Sequence, residues 1–184
     1  MRILLLIGFT LLPSAIFGQS INNFKYTGNE VQYEFVYNLD TDSTELQRRL
    51  SAFIPLIRGV KDVLVSEGQI SGRIENAQVN YKAHGFKRGD LSLLMDDPVS
   101  YGFLVQIKGG KYRVVLSGIY FYDEVEKFTY YFTEYSYNSK TGAFKYLKES
   151  KTPSFMRNPI RNTMQMLAVH FHDTFALKPS NDNW

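Results

Sequence analysis

The stretch YGFLVQIKGGKYRVVLSG, Tyr101 to Gly118, limits the fold of this chain more than any other segment. Gly109-Gly110 at its centre suits the positive backbone angles of a two-residue hairpin turn, because neither residue has a Cβ to clash there. Such a turn fixes the register: Lys108 lies opposite Lys111, Ile107 opposite Tyr112, Val105 opposite Val114 and Phe103 opposite Leu116. That pairing sorts the side chains. One face holds Tyr101, Phe103, Val105, Ile107, Tyr112, Val114 and Leu116, and the other holds Leu104, Gln106, Lys108, Lys111, Arg113, Val115 and Ser117. An antiparallel pair with one apolar face needs cover on one side only, unlike the strands of a parallel α/β sheet.

The flanking segments extend the pattern. Residues 31 to 39, VQYEFVYNL, alternate with Val31, Tyr33, Phe35, Tyr37 and Leu39 on one side, which predicts a strand with one wet face. Asp42 then caps a helix with Glu45 reaching back, and Leu46, Leu50, Phe53, Ile54 and Ile57 recur at helical spacing. The helix is expected over Ser43 to Arg58, with a kink or early stop at Pro55. DVLVS (62 to 66) and QISGRIENAQVNY (69 to 81) form a second hairpin around Glu67-Gly68, with Gly72 as the expected bulge. Residues 82 to 98 have no clean period and read as a loop with a helical turn at Leu91 to Met95.

FTYYFTEYSY (128 to 137) and AFKYL (143 to 147) read as two more strands joined by NSKTG, aromatic on both faces. Asn158 as cap and Pro159 at the first helical position predict a long closing helix. Its Ile160, Met164, Leu167, Ala168, Phe171 and Phe175 fall within about 100° of one another on a helical wheel. The order is strand, helix, four to six antiparallel strands, helix. It implies an α+β, two-layer domain: a curved antiparallel sheet with helices on one face.

Before this pattern lies MRILLLIGFTLLPSAIFG, with one early cation and a short apolar run, the layout of a secretory signal peptide over residues 1 to 18. A single domain is expected over residues 19 to 178 and a loose tail over 179 to 184. Export to the periplasm or cell envelope follows from the signal, with no integral span in the mature chain. The chain has no cysteine, which removes a lipid anchor, disulfides, thiolate metal sites and cysteine nucleophiles together. The net charge of +3 is too small and too dispersed for nucleic acid or a polybasic membrane contact. Thirteen tyrosines and fourteen phenylalanines against one tryptophan favour sheet surfaces.

Three constellations carry possible chemistry. LDTDST places Asp40, Asp42 and Thr44 in the Asp-x-Asp-x-Thr pattern of haloacid-dehalogenase-like phosphohydrolases, with Asp96-Asp97 placed like a magnesium pair. That chemistry needs a strand buried among parallel neighbours, and Glu34 and Asn38 interrupt this one, so helix cap and turn are the preferred reading. His170 and His172 point about 200° apart on a helix and cannot share an ion, and His84 stands alone, so no metal and no cofactor is expected. No serine sits in a nucleophile turn, and GFKRGD is no phosphate-cradling loop. Tyr101, Phe103, Tyr112, Tyr120, Tyr122, Tyr131 and Tyr135 are the candidate ligand-binding residues, as walls of a cavity between sheet and closing helix. Tyrosines that simply fill the core or spread over the outer sheet face are the competing reading.

The stretches VQYEFVYNLDTDSTEL, GVKDVLVSEGQISGRI and IKGGKYRVVLSGIYFYDE resemble an exported Bacteroidetes-type family of unknown function with a TATA-binding-protein-like fold. With the helices between them they cover residues 31 to about 147. The element order is also similar to the helix-grip plan of START and Bet v1-like lipid carriers. The resemblance implies a fold and no catalytic residues. The expected function is a non-enzymatic envelope protein that binds a ligand or protein partner through its sheet or its 82 to 98 loop. The alternatives are a helix-grip carrier of an apolar small molecule and, more distantly, an Asp-nucleophile phosphohydrolase.

Overall fold

In the computed structural model, residues 20–138, 140, 143–144 and 154–177 are described. The expected signal peptide, the tail and strand residues 145 to 147 lie outside them. Eight strands make one antiparallel sheet: β1 Ser20–Ile21, β2 Phe24–Thr27, β3 Glu30–Asn38, β4 Val60–Ser66, β5 Gln69–Ala77, β6 Val99–Lys108, β7 Lys111–Asp123 and β8 Phe128–Tyr131. The spatial order is β1-β2-β3-β7-β6-β5-β4, and β8 pairs with the second half of β7. Three α-helices accompany it: α1 Ser43–Phe53, α2 Phe132–Ser136 and α3 Ser154–Phe175. A separate two-residue pair, β9 Tyr137–Asn138 and β10 Ala143–Phe144, lies between α2 and α3 in sequence.

The central hairpin has the register that its turn demands, from Lys108↔Lys111 through Phe103↔Leu116. Gly109 and Gly110 have φ of 53° and 73°. A Cβ on Gly110 would also lie 2.9 Å from the Thr41 carbonyl oxygen, so glycine is required there twice over. Beyond Leu116 the alternation breaks. Ser117 faces Gly102 and Tyr120 faces Ser100, so Gly118 and Ile119 together oppose Tyr101 in a β-bulge, with Gly118 at φ 58°. Because side chains alternate with period two, the extra residue exchanges the faces of everything after it. Ile119 and Phe121 point into the core, and Tyr120 and Tyr122 do not.

Helices cover one face only. Leu46 and Leu50 of α1, Ile54 just after it, and Met164, Leu167, Phe171 and Phe175 of α3 share one buried cluster with Phe24, Tyr33, Tyr101, Phe103, Tyr112 and Leu116 of the sheet. The rings interlock: Phe171 lies 5.4 Å from Tyr33 and 4.8 Å from Tyr101, both edge-on, and Phe175 lies 5.5 Å from Phe103. Each such side chain contributes about 1.5 to 3 kcal/mol by leaving water. α1 starts at the Asp42 cap and gives way at Ile54–Leu56 to a 3-10 turn containing Pro55, as the missing donor requires.

Several expectations are corrected. Gly72 does sit at a bulge, but the extra residue is on the neighbouring strand: Asp62 and Val63 of β4 together oppose it. On its other side it pairs regularly with Phe103, and a Cβ there would come within 2.6 Å of the Phe103 ring, so the glycine makes room for that ring. A second register shift sets Glu75 and Asn76 against Ser100, and Asp62 and Asn76 both have positive φ. FTYYFTEYSY does not continue as a strand past Tyr131. It turns into α2, which buries Phe132 and presents Thr133 Oγ1 as acceptor for the Val31 N–H at 2.8 Å. α3 begins at Ser154, so Asn158 is not its cap and Pro159 lies in its second turn. The proline φ is already helical, and the chain continues through it at the loss of one hydrogen bond.

Candidate functional site

The two faces of the sheet offer different chemistry. On the inner face, tyrosines reach through the apolar layer to the closing helix. The hydroxyls of Tyr33, Tyr37 and Tyr112 donate to the carbonyls of Ala168 at 3.2 Å, His172 at 2.6 Å and Phe175 at 2.8 Å. His172 and Phe175 belong to the last turn of α3, whose carbonyls lack intrahelical partners. Tyr112 also accepts from the Leu177 N–H at 3.1 Å, closing the helix end. Burial pushes the Tyr33 and Tyr112 hydroxyls up to about 12 and raises Tyr37 and Tyr101 as well. These groups stay protonated donors at any physiological pH.

Of the seven candidate ligand residues, the structure brings together Tyr101, Phe103 and Tyr112, all buried under α3. Tyr120 and Tyr122 lie on the opposite face because of the Gly118 bulge. Tyr131, half exposed, is the strand partner of Tyr120, with ring centroids 6.2 Å apart. The Tyr135 side chain lies outside the described residues. The seven therefore do not line one cavity. The inner-face partners that the candidate set left out are Tyr33 and Tyr37, although the alternation of VQYEFVYNL already put both on the apolar side.

Tyr101 differs from its neighbours. Its buried hydroxyl reaches no α3 carbonyl and has the Thr174 side chain as its polar neighbour, and the Nε2 of His170 is buried without a partner. Both residues line a cleft of about 140 Å³ at the side of α3, with Thr174, Arg58, Ile57 and Ile74. Burial, reinforced by His84, pushes the His170 imidazole down to about 4. The paired histidines separate as their spacing requires: His172 stacks on Tyr37, and His170 faces His84 at 5.9 Å. Asp173 lies between, 3.5 Å from His84 Nδ1 and 3.3 Å from His172 Nδ1. Among the described residues no group of three or more His, Asp or Glu is placed to hold a metal ion.

The Asp-x-Asp-x-Thr pattern serves the backbone. Asp42 Oδ1 accepts from the N–H groups of Thr44 and Glu45, both at 2.9 Å, and β3 has antiparallel neighbours on both sides. Asp96 is held by Arg88, whose Nε donates to it at 2.6 Å and keeps its carboxyl below the usual range. The 82 to 98 loop does not stand free. It buries Leu91, Leu94 and Met95 and docks on α3 through Ser92 N–H to Thr163 Oγ1 at 3.0 Å and Asn162 to the Asp90 carbonyl at 3.0 Å.

Among the described residues no helix lies on the outer face. One row crosses five strands, Glu34, Val115, Leu104, Ser71 and Leu64, and Val36 stands in the next row opposite Arg113. Val36 is 43% exposed and Leu64 71%. Ion pairs stand at both ends of this row: Lys25 and Arg113 on Glu34, Lys61 and Arg73 on Glu75, and Arg73 again on Asp62 at 2.7 Å. Toward the Gly109-Gly110 end an open hollow of about 520 Å³ is lined by Val36, Gln69, Gln106, Lys108, Lys111 and Arg113.

This architecture defines the class: a two-layer α+β protein with an antiparallel sheet covered by helices on one face. The chain is similar in fold to a DUF4468 family protein from Bacteroides ovatus ATCC 8483, with a TM-score of 0.55, 16% identity, and 88% of this chain and 95% of that chain covered. A TBP-like protein from Parabacteroides distasonis ATCC 8503 gives a TM-score of 0.49 at 17% identity, over 81% of this chain and 92% of that chain. The likeness to the Bacteroides ovatus protein bears out, at the level of fold, the resemblance read from the sequence. No protein-family model matches the chain, and no curated protein does. Among the described residues no helix is long and apolar enough to cross a membrane.

Proposed function

We propose that this chain is an exported, non-enzymatic envelope protein that binds a protein partner on the outer face of its sheet. The observation that carries the reading is the asymmetry of the sheet: α1 and α3 pack on the inner face, while among the described residues no helix covers Val115, Leu104 and Leu64 on the other. Lys25, Arg113, Lys61 and Arg73 beside that row are matched by carboxylates, which suits a polar protein rim, while Lys108 and Lys111 line the hollow at the hairpin end. Because the 82 to 98 loop is docked on α3, the sheet is the better partner surface of the two. Against a helix-grip carrier stands the inner layer itself, where Phe171, Phe175, Tyr33, Tyr101 and Phe103 fill the space such a carrier leaves open.

The test is site-specific photo-crosslinking in the native host. A crosslinker at Val115 should give one discrete adduct that Val36→Arg abolishes, while a crosslinker at Gln165 on the exposed side of α3 should give none. Equal labelling from both positions, or an adduct insensitive to Val36→Arg, would contradict the proposal. Metal-dependent phosphatase turnover lost in Asp40→Asn would contradict its non-enzymatic half.

A further inference from the structure

The free edge of the sheet is a second surface, and it stands or falls separately from the outer face. β4 is the last strand in the order, and among the described residues no strand pairs with its far side. Gly68 gives its carbonyl to the Ile107 N–H at 2.8 Å, so the alternate residues Gln69 and Ser71 turn their backbone groups toward β4, where Ser66 and Leu64 answer them. Val63 and Val65 are left with their N–H and C=O groups on the open side. Sheet edges are ordinarily blunted by charge, proline or a bulge. The first half of β4 is blunted in this way, by Lys61 and by Asp62 at a φ of 53°. The stretch from Val63 to Ser66 carries no charge and no proline. Its side chains are apolar on both faces: Leu64, 71% exposed, ends the outer row, and Val65, 51% exposed, stands beside Ile70 on the inner side. Leu56, 81% exposed, belongs to the 3-10 turn that lies against β4.

A second copy of the chain fits this edge by its own symmetry. Antiparallel pairing about Leu64 sets Val63 of each copy against Val65 of the other, and their outward backbone groups then close about four hydrogen bonds. Leu64 meets Leu64 on the axis, in the non-hydrogen-bonded position where side chains come closest. Charge agrees with that direction. Lys61 lies before the stretch and Glu67 after it, both exposed, so an antiparallel copy brings opposite charges together at each end, whereas a parallel copy sets like beside like. Leu64 ends a row that runs back through Ser71, Leu104 and Val115, and pairing makes that row continuous through both copies. We propose that two copies associate edge to edge through β4, forming one antiparallel sheet across a two-fold axis at Leu64.

The chain has no cysteine, so a single introduced thiol reports the pairing. In Leu64→Cys the two thiols face each other with Cα atoms about 4.5 Å apart, within reach of a disulfide. In Ser66→Cys, on the same face of β4, the two positions lie about 14 Å apart. Under mild oxidation Leu64→Cys should form a covalent dimer about tenfold or more faster than Ser66→Cys, and faster by as much than Val125→Cys, an exposed position in the turn after β7. Sedimentation of the unmodified chain should show a dimer that dissociates on dilution, because the contact is narrow. Val65→Pro removes an N–H that serves no bond among the described residues, and Leu64→Lys sets two cations on the axis. Each should raise the dissociation constant about tenfold or more, with little change in the melting temperature of the dilute protein. Val36→Arg, which tests the partner surface, should leave the dimer unchanged. A chain that sediments as a monomer at every concentration, three thiols that oxidise at equal rates, or a dimer indifferent to both β4 variants would overturn the proposal.

Discussion

Tyrosine stands on both sides of this sheet, and the two populations differ in what limits them. On the inner side, Tyr33, Tyr37 and Tyr112 bring apolar rings into a layer that must exclude water and then place their hydroxyls on α3 carbonyls. On the outer side, Tyr120 and Tyr131 face each other across β7 and β8, with Tyr131 about half exposed. The same residue type is a helix anchor where packing surrounds it and a partly exposed ring where it does not. The comparison teaches that residue type alone does not decide whether a tyrosine is buried or exposed. Its face does, and that face is decided here by one inserted glycine.

The comparison breaks most directly at Phe171, which touches Phe24, Tyr33 and Tyr101 at once. Phe171→Ala removes the ring that joins α3 to three strands, and urea denaturation should show a loss of about 3 to 5 kcal/mol. A loss below about 1 kcal/mol would mean that the inner layer is not the cohesive half of the molecule.

His170 gives the next largest effect and sharpens the inner half electrostatically. Its pKa falls from an ordinary 6.5 to about 4 in the folded state, first through burial, then through His84, with Asp173 opposing. The unfolded chain therefore binds the proton first as pH drops. Stability is complete above about pH 6.5 and declines toward pH 4, by about 2 to 3 kcal/mol in all. His84, Asp173, the Tyr101 hydroxyl and Arg58 are the titratable or charged groups that face or adjoin it. His170→Gln should flatten that slope, and an equally steep decline in the variant would assign the effect elsewhere.

Legibility in the sequence followed the same division. Where one face was apolar and a turn was short, pairing was readable residue by residue, as in the register from Lys108↔Lys111 to Phe103↔Leu116. The apolar stripe of α3 was readable for the same reason, because Met164, Leu167, Phe171 and Phe175 must all find one core. β1 and β2 were missed because strands of two and four residues are too short for a period. Yet Asn22-Asn23 and Gly28-Asn29, all at positive φ, are two-residue hairpin turns written in the sequence. The aromatic run 128 to 137 failed differently: with apolar residues on both faces, nothing in its pattern opposes a helix at Phe132. The candidate site was legible in part. Tyr101, Phe103 and Tyr112 precede the bulge in the pairing and keep the expected face, whereas Tyr120 and Tyr122 follow it and exchange faces. Ser117-Gly118 was the available sign, since a glycine inside a strand often marks a bulge.

The smallest expected effect is on the outer face, and its smallness is the point. Val36 stands 43% exposed in a row where no helix or loop meets it, so Val36→Thr keeps the β-branched shape and gives up little buried area. Its unfolding free energy should stay within about 0.5 kcal/mol of the parent. Val115, in the adjoining row beside Leu104, should tolerate threonine equally well when measured alone. If the outer face existed only to hold the sheet together, these changes would register in stability and nowhere else. A partner surface behaves the opposite way: stability is flat while crosslinking from the row weakens, because the aliphatic contact is made only when the partner is present. A loss of more than about 1 kcal/mol in Val36→Thr would show that the row is structural, and the contrast between the two faces would then collapse into one continuous core.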